Sequence, residues 1–256
     1  MCTIILLGKT YVNPSYFAKL VRNICFTKSF TKIYCNFVPP FTLFNSNCNL
    51  IENMFGFTFV DIIDFIGTFA FAISGIRLAS EKNFDLFGAF IVGMATACGG
   101  GTLRDIMLGV NPFWMTQWVY LAITALAIVV YIPFHRFIHR ISRTMFTFDT
   151  IGLALFTVVG FQKTIDAGFP YWTANIMGMM TGAAGGVIRD ILINEVPLIF
   201  RRDIYALACA AGGLLFTWAM IIGLPNITAQ MGCAVAVIVI RICAVRYHWQ
   251  LPILKE

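Results

Sequence analysis

Two ten-residue segments concentrate the residues able to do chemistry. TACGGGTLRD at 96–105 and TGAAGGVIRD at 181–190 each set clustered glycines in apolar surroundings and close on an Arg-Asp pair. Gly costs a helix interior about 1 kcal/mol relative to Ala. Arg or Asp at a bilayer centre costs roughly 2.5–3.5 kcal/mol. Freed carbonyls at membrane depth are tolerated where they face protein or a water-filled cavity, and discontinuous helices build ion and substrate sites this way. Two compatible roles fit Gly99, Gly100, Gly101, Gly185 and Gly186. One is a hinge lining a pathway, to which Thr96 and Thr181 add hydroxyls; the other is close helix packing of the G-x-x-x-G kind. Arg104-Asp105 and Arg189-Asp190 are either gates at opposite ends of one pathway or structural pairs in which Arg snorkels to the interface. Asp64 and Asp149 either attract cations at a mouth or cap helix starts.

These positions are copies of one another. Shifted by 85 residues, the chain superposes on itself without a gap, and 18 of the 57 positions from 64 to 120 are identical to their partners. The matches include Asp64 with Asp149, Arg104-Asp105 with Arg189-Asp190, Pro112 with Pro197, Tyr120 with Tyr205, and five glycines. Shared apolar composition does not align charges and prolines, so the chain is a duplication.

The elements that hold these residues are membrane helices. The chain is 59% hydrophobic and 12% charged, with a mean hydropathy of +0.81. Soluble domains carry about 25% charged residues, so the reading is an all-α integral membrane protein. About 20 apolar residues span a bilayer, and that length predicts seven transmembrane helices near 58–78, 86–108, 116–134, 146–163, 172–193, 204–223 and 226–245, the fourth closed early by Gln162 and Lys163. Turn signals separate them at Glu81-Lys82-Asn83, Gly168-Phe169-Pro170 and Gly223-Leu224-Pro225-Asn226. Three spans per copy is an odd number, so the second copy enters the membrane inverted. The expected organisation is a first three-helix repeat over 54–140, a second, inverted repeat over 141–223, and a seventh helix with a cytoplasmic tail over 224–256. The most basic connection, 135–143, with Arg201, Arg202 and the tail, puts the C-terminus in the cytoplasm. Residues 1–53 are basic yet fall on the outer side, and Met54 offers a start. They are expected to be an upstream extension that is absent or disordered, or else an amphipathic anchor.

Several chemistries are excluded. The net charge of +6 is scattered over short connections, not gathered in the basic stripe that nucleic acid requires. The eight cysteines and three histidines form no zinc spacing, so no metal or other cofactor is expected and the cysteines read as small helix residues. There is no nucleophile elbow and no phosphate loop. The chain does not read as an enzyme.

The doubled pattern G-x-x-T-x-x-x-G-G-x-x-R-D, at Gly93–Asp105 and Gly178–Asp190 with a Pro seven residues after each Asp, resembles the prokaryotic trimeric intracellular cation channels. Their sequences overlap a bacterial membrane family labelled as glycine transporters. The resemblance covers about 57–245. It implies a homotrimer in a bacterial inner membrane, each subunit carrying a pore lined by glycine-kinked helices two and five, through which monovalent cations, chiefly potassium, move passively. Gly99, Gly100 and Gly101 take the kink positions in the first copy and Gly185 and Gly186 in the second, where Ala184 replaces the third glycine. Membrane lipid is the other expected partner, although the Lys-Glu-Val lipid-binding motif of the animal channels has no counterpart here. The alternative is a secondary transporter for a small zwitterion such as glycine, with Arg104 or Arg189 on its carboxylate.

Overall fold

The computed structural model describes residues 58–140, 144–201 and 204–249. The expected extension at 1–53, residues 141–143 and 202–203 with Arg143 and Arg202, and the end of the expected tail at 250–256 lie outside the described residues. Among those described are eight α-helices. Seven are long: α1 (Phe59–Glu81), α2 (Leu86–Met107), α3 (Val119–Arg140), α4 (Thr144–Asp166), α5 (Tyr171–Leu192), α6 (Ala206–Ile221) and α7 (Asn226–Arg246). The eighth is a single turn, Phe113–Thr116, between α2 and α3, and a 3-10 turn, Leu198–Phe200, holds the matching place between α5 and α6.

Local sequence explains the boundaries. Thr58 caps α1 in a capping box with Asp61, and Asp85 caps α2 by accepting from the Gly88 amide at 2.8 Å. Residues with positive φ follow the helix ends: Asn83 and Gly109 in the first copy, Gly168 and Asn194 at the places 85 residues on, and Gly223 before α7. Gly or Asn is what a left-handed backbone accepts most readily. The duplication therefore preserves turn geometry as well as composition.

Four helices, α1, α2, α4 and α7, are long and apolar enough to cross a membrane, and α3 and α6 contain shorter apolar stretches. α5 is diluted by Asn175, Thr173, Thr181 and the Arg189-Asp190 pair. Large apolar side chains cover the outer surface of the bundle, among them Phe87, Leu126, Val129 and Leu214, as lipid contact demands. Exposed Trp118 and Trp172 sit at the starts of α3 and α5, and Trp218 sits near the end of α6. Such positions suit the aromatic belt of a membrane interface. Inside the bundle, α1 packs on α2 and α3 as α4 packs on α5 and α6; α1 meets α4, α2 meets α5, and α7 lies against α6 and α4.

Long-range polar contacts reveal which ends lie together. Lys82, just beyond α1, donates to Glu195, just beyond α5, at 2.6 Å. Near the other end of α1, Asp64 accepts from Tyr120 at the start of α3 and from Lys163 near the end of α4. The hydrogen bond from Lys82, then its charge, holds the Glu195 carboxyl below its ordinary pKa, with a smaller contribution from Arg201. A carboxyl with a depressed folded pKa adds stability above its unfolded pKa and loses it as pH falls through the folded one. Both partners are exposed, so the effect is small and screened by salt. Glu195→Gln should lower Tm slightly near neutral pH in low salt and leave it unchanged in acid, as a pH series of thermal unfolding would show.

Candidate functional site

The site begins where α2 and α5 cross on their glycines. A Cβ added to Gly100 would strike the carbonyl oxygen of Thr181, and one added to Gly185 would strike that of Thr96. Since 100 and 185, like 96 and 181, are 85 residues apart, the contact mirrors itself. Each repeat's first helix packs on the same threonines: a Cβ on Gly75 or Gly160 would lie 2.5 Å from the hydroxyl of Thr96 or Thr181. This is packing through small residues, which lets backbones approach where larger side chains would hold them apart.

The crossing corrects part of the expected pore geometry. Helical hydrogen bonding runs unbroken through Gly99–Gly101 and through Gly185–Gly186. The Thr96 and Thr181 hydroxyls donate back to their own helices, to the carbonyls of Val92 at 2.6 Å and Met177 at 2.7 Å. Both threonines are fully buried. The partner backbone fills the space left by the glycines, so neither helix has reason to open in this conformation. The other glycines accept side chains: Gly99 faces Ile188, Gly101 lies under the Phe113 ring, and a Cβ on Gly186 would come within 2.6 Å of the Tyr205 hydroxyl.

Two buried ionic nodes flank the crossing. In the first, Arg104 donates through Nε and Nη2 to one oxygen of Asp105, at 2.8 and 2.7 Å. The other Asp105 oxygen accepts the Phe113 amide at 2.9 Å, securing the single-turn helix. Asp64 Oδ2 accepts from the Tyr120 hydroxyl at 3.0 Å and from Lys163 Nζ at 2.8 Å. The Phe113 ring packs edge-on against Tyr120 and lies 5.8 Å from the Arg104 guanidinium and 5.5 Å from the Lys163 ammonium. Two carboxylates and two cations balance, as burial requires.

The second node repeats this plan at the other end of α1. Arg189 donates to Asp190 at 2.9 Å, and the remaining Asp190 oxygen accepts the Leu198 amide at 3.1 Å. Here Arg189 also reaches Asp149 at 2.5 Å and the Ser74 hydroxyl of α1 at 2.7 Å. Arg241 of α7 lies over the Tyr205 ring, 4.9 Å from its centre, and donates to the Ile204 carbonyl at 3.1 Å.

The structure thus brings the sequence-predicted charges together, with two corrections. Asp64 and Asp149 neither cap helix starts nor stand exposed at a mouth; they are 2% and 1% accessible, and Thr58 caps α1 instead. Arg104 and Arg189 do not snorkel; they are 2% and 0% accessible because each finds an acid on the next residue. Lys163, Tyr120, Tyr205, Ser74 and Arg241 were not expected as site residues. The tyrosine match was visible in the repeat, and an arginine inside an apolar helix is itself a functional signal. Lys163→Met would leave Asp64 with Tyr120 alone. Because Lys163 is partly accessible, the expected loss is about 1–3 kcal/mol, below that of a fully buried pair, measurable by thermal unfolding in detergent.

Comparison with known proteins agrees with the duplication. Residues 61–136 and 146–221 each match a family described as glycine transporter, and both limits of the second match lie 85 residues beyond those of the first. The chain is 38% identical over 193 residues to the UPF0126 inner membrane protein YadS of Escherichia coli K12, covering 74% of this chain and 93% of that one. It is 37% identical to a UPF0126 membrane protein of Vibrio cholerae, over 75% and 81% of the two chains. Its fold is similar to that of solved channels. One is a TRIC cation channel, with TM-score 0.69, 34% identity and coverage of 77% of this chain and 97% of the other. Another is the TRIC trimeric intracellular cation channel orthologue from Rhodobacter sphaeroides, with TM-score 0.71, 30% identity and coverage of 74% and 98%.

Proposed function

The chain belongs to the family described as glycine transporter, its fold is similar to that of TRIC channels, and from that premise we propose that it is a passive channel for monovalent cations, chiefly potassium. The observation that carries the reading is the pair of buried, related ionic nodes at the two ends of one small-residue crossing. A scaffold has no use for two such nodes at membrane depth. In membrane proteins built from inverted copies, the pathway lies at the interface between the copies, where these nodes sit.

In this reading the subunits form a homotrimer in a bacterial inner membrane, and each has its own pathway between α2 and α5. The conformation described is closed, because the crossing residues are buried. Opening parts α2 from α5 at Gly100 and Gly185, exposing the Thr96 and Thr181 carbonyls to a partly dehydrated ion. The carboxylates of the two nodes then set the preference for cations. The contacts of Lys82 with Glu195 and of Lys163 with Asp64 support the inverted order, since they place the ends of α1 and α5 together and run α4 against α1. Cysteines substituted at Lys82 and Glu195, in a background lacking other reactive thiols, should be labelled from the same side of a vesicle, and one at Gly109 or Gly223 from the other.

The zwitterion carrier is less well supported, because each arginine already spends its guanidinium on a carboxylate of its own chain. Liposomes separate the two readings. Rubidium uptake that follows the electrical potential and persists without glycine supports the channel. Saturable glycine uptake without rubidium movement would overturn it.

A further inference from the structure

One difference between the two nodes lies at the carboxylate of each repeat's first helix. In the first, a single carboxylate oxygen of Asp64 accepts from both the Tyr120 hydroxyl and the Lys163 ammonium. The counterparts in the second are Asp149 and Tyr205, but the counterpart of Lys163 is Leu78, which has no charge to give. Asp149 Oδ2 and the Tyr205 hydroxyl are left without partners, as is Arg189 Nη2, although all three residues are at most 1% accessible. Buried polar atoms in this state call for a partner such as a water or an ion, since each costs about 1–3 kcal/mol when unsatisfied. Gly186 lets these groups draw together: a Cβ there would sit 2.6 Å from the Tyr205 hydroxyl and 3.6 Å from both Arg189 Nη2 and Asp149 Oδ1.

We propose that the second node binds a monovalent cation between Asp149 and the Tyr205 hydroxyl, in the place that the Lys163 ammonium fills in the first. The inference rests on the channel reading for the identity of the ion, and on the unpartnered oxygens for the site. Two carboxylates, Asp149 and Asp190, face one directly paired cation, Arg189. Arg241 contributes its charge only across the Tyr205 ring. The ion takes the two oxygens, and one of its waters accepts from Arg189 Nη2. Leu78 lies one helical turn beyond Ser74, which touches Arg189, so a lysine at 78 would bring an ammonium to the node as Lys163 does to the other.

The test measures binding rather than flux. Thermal unfolding of the purified full chain is followed as potassium chloride replaces N-methyl-D-glucamine chloride at fixed ionic strength. Tm should rise with the logarithm of potassium concentration, and the rise should vanish in Asp149→Asn and in Leu78→Lys. An unchanged potassium dependence in both variants would overturn the proposal. Should a variant fail to fold, thallium-soaked crystals of the unaltered protein decide. Anomalous density between Asp149 and Tyr205 supports the site, and water alone at saturating thallium overturns it. Thallium density without ion currents would leave the site standing and the channel reading fallen. Currents without density would do the reverse.

Discussion

Arg189→Met should lower stability by about 3–5 kcal/mol, the loss expected when one member of a buried ionic cluster is removed. Arg189 is fully buried and holds Asp149, Asp190 and Ser74 together. Without it, two carboxylates stay at membrane depth with only the Leu198 amide as a remaining hydrogen-bond donor. Arg189→Lys should recover only part of the loss, because a compact ammonium cannot span three partners in the planar fork that guanidinium provides. Replacing Arg189, Asp149 and Asp190 together by apolar residues of similar volume is the informative control. Buried ionic clusters are often exchanged for hydrophobic ones with little loss of stability. The triple variant should therefore fold while conducting poorly. Thermal unfolding in detergent measures the first effect, and an Arg189→Met protein as stable as the parent would remove the node from the structural role given to it.

The second large effect concerns the crossing. Gly→Ala in a helix interior is favoured by roughly 0.5–1 kcal/mol. At Gly100 the added methyl meets the Thr181 carbonyl, and at Gly185 it meets that of Thr96. Backbone has no rotamer with which to yield, so overpacking of about 1–3 kcal/mol outweighs the propensity gain. Gly99→Ala is the contrast, since its methyl meets only the far end of Ile188, which can turn aside. Gly100→Ala and Gly185→Ala should each destabilise the closed crossing, and the double variant should cost less than the sum, because the first methyl has already parted the helices that the second would push. If this crossing shuts the pathway, both variants also raise open probability. Equal stability of Gly99→Ala and Gly100→Ala would show that the close approach is not a constraint.

What could be read from sequence follows from what repeats. Six of the seven long helices lie within three residues of their expected limits, because lipid demands continuous apolar stretches and turns demand Gly, Asn or Pro; α3 runs on to Arg140, six residues into the expected basic connection. Spacing alone ends α4 too early. Lys163 looks like a terminus but reaches Asp64, 99 residues away, while Gln162 bonds Asp166 and Gln230. The paired charges stood out because the duplication aligned them. Lys163 and Arg241 have no copies, and their partners, Asp64 and Ile204, are distant in sequence, so spacing gave no hint of them. The glycines were legible as important but ambiguous in role, since hinge and close contact draw on the same missing Cβ. Only the position of the opposing carbonyl separates the two in this conformation.

The most direct measurement of the central claim is single-channel recording of the purified chain in a planar bilayer with a potassium gradient. Discrete unitary steps that reverse near the potassium potential, longer in their open dwell times for Gly100→Ala, are the expected result. A silent bilayer, from protein that is folded and takes up glycine when reconstituted, would contradict it.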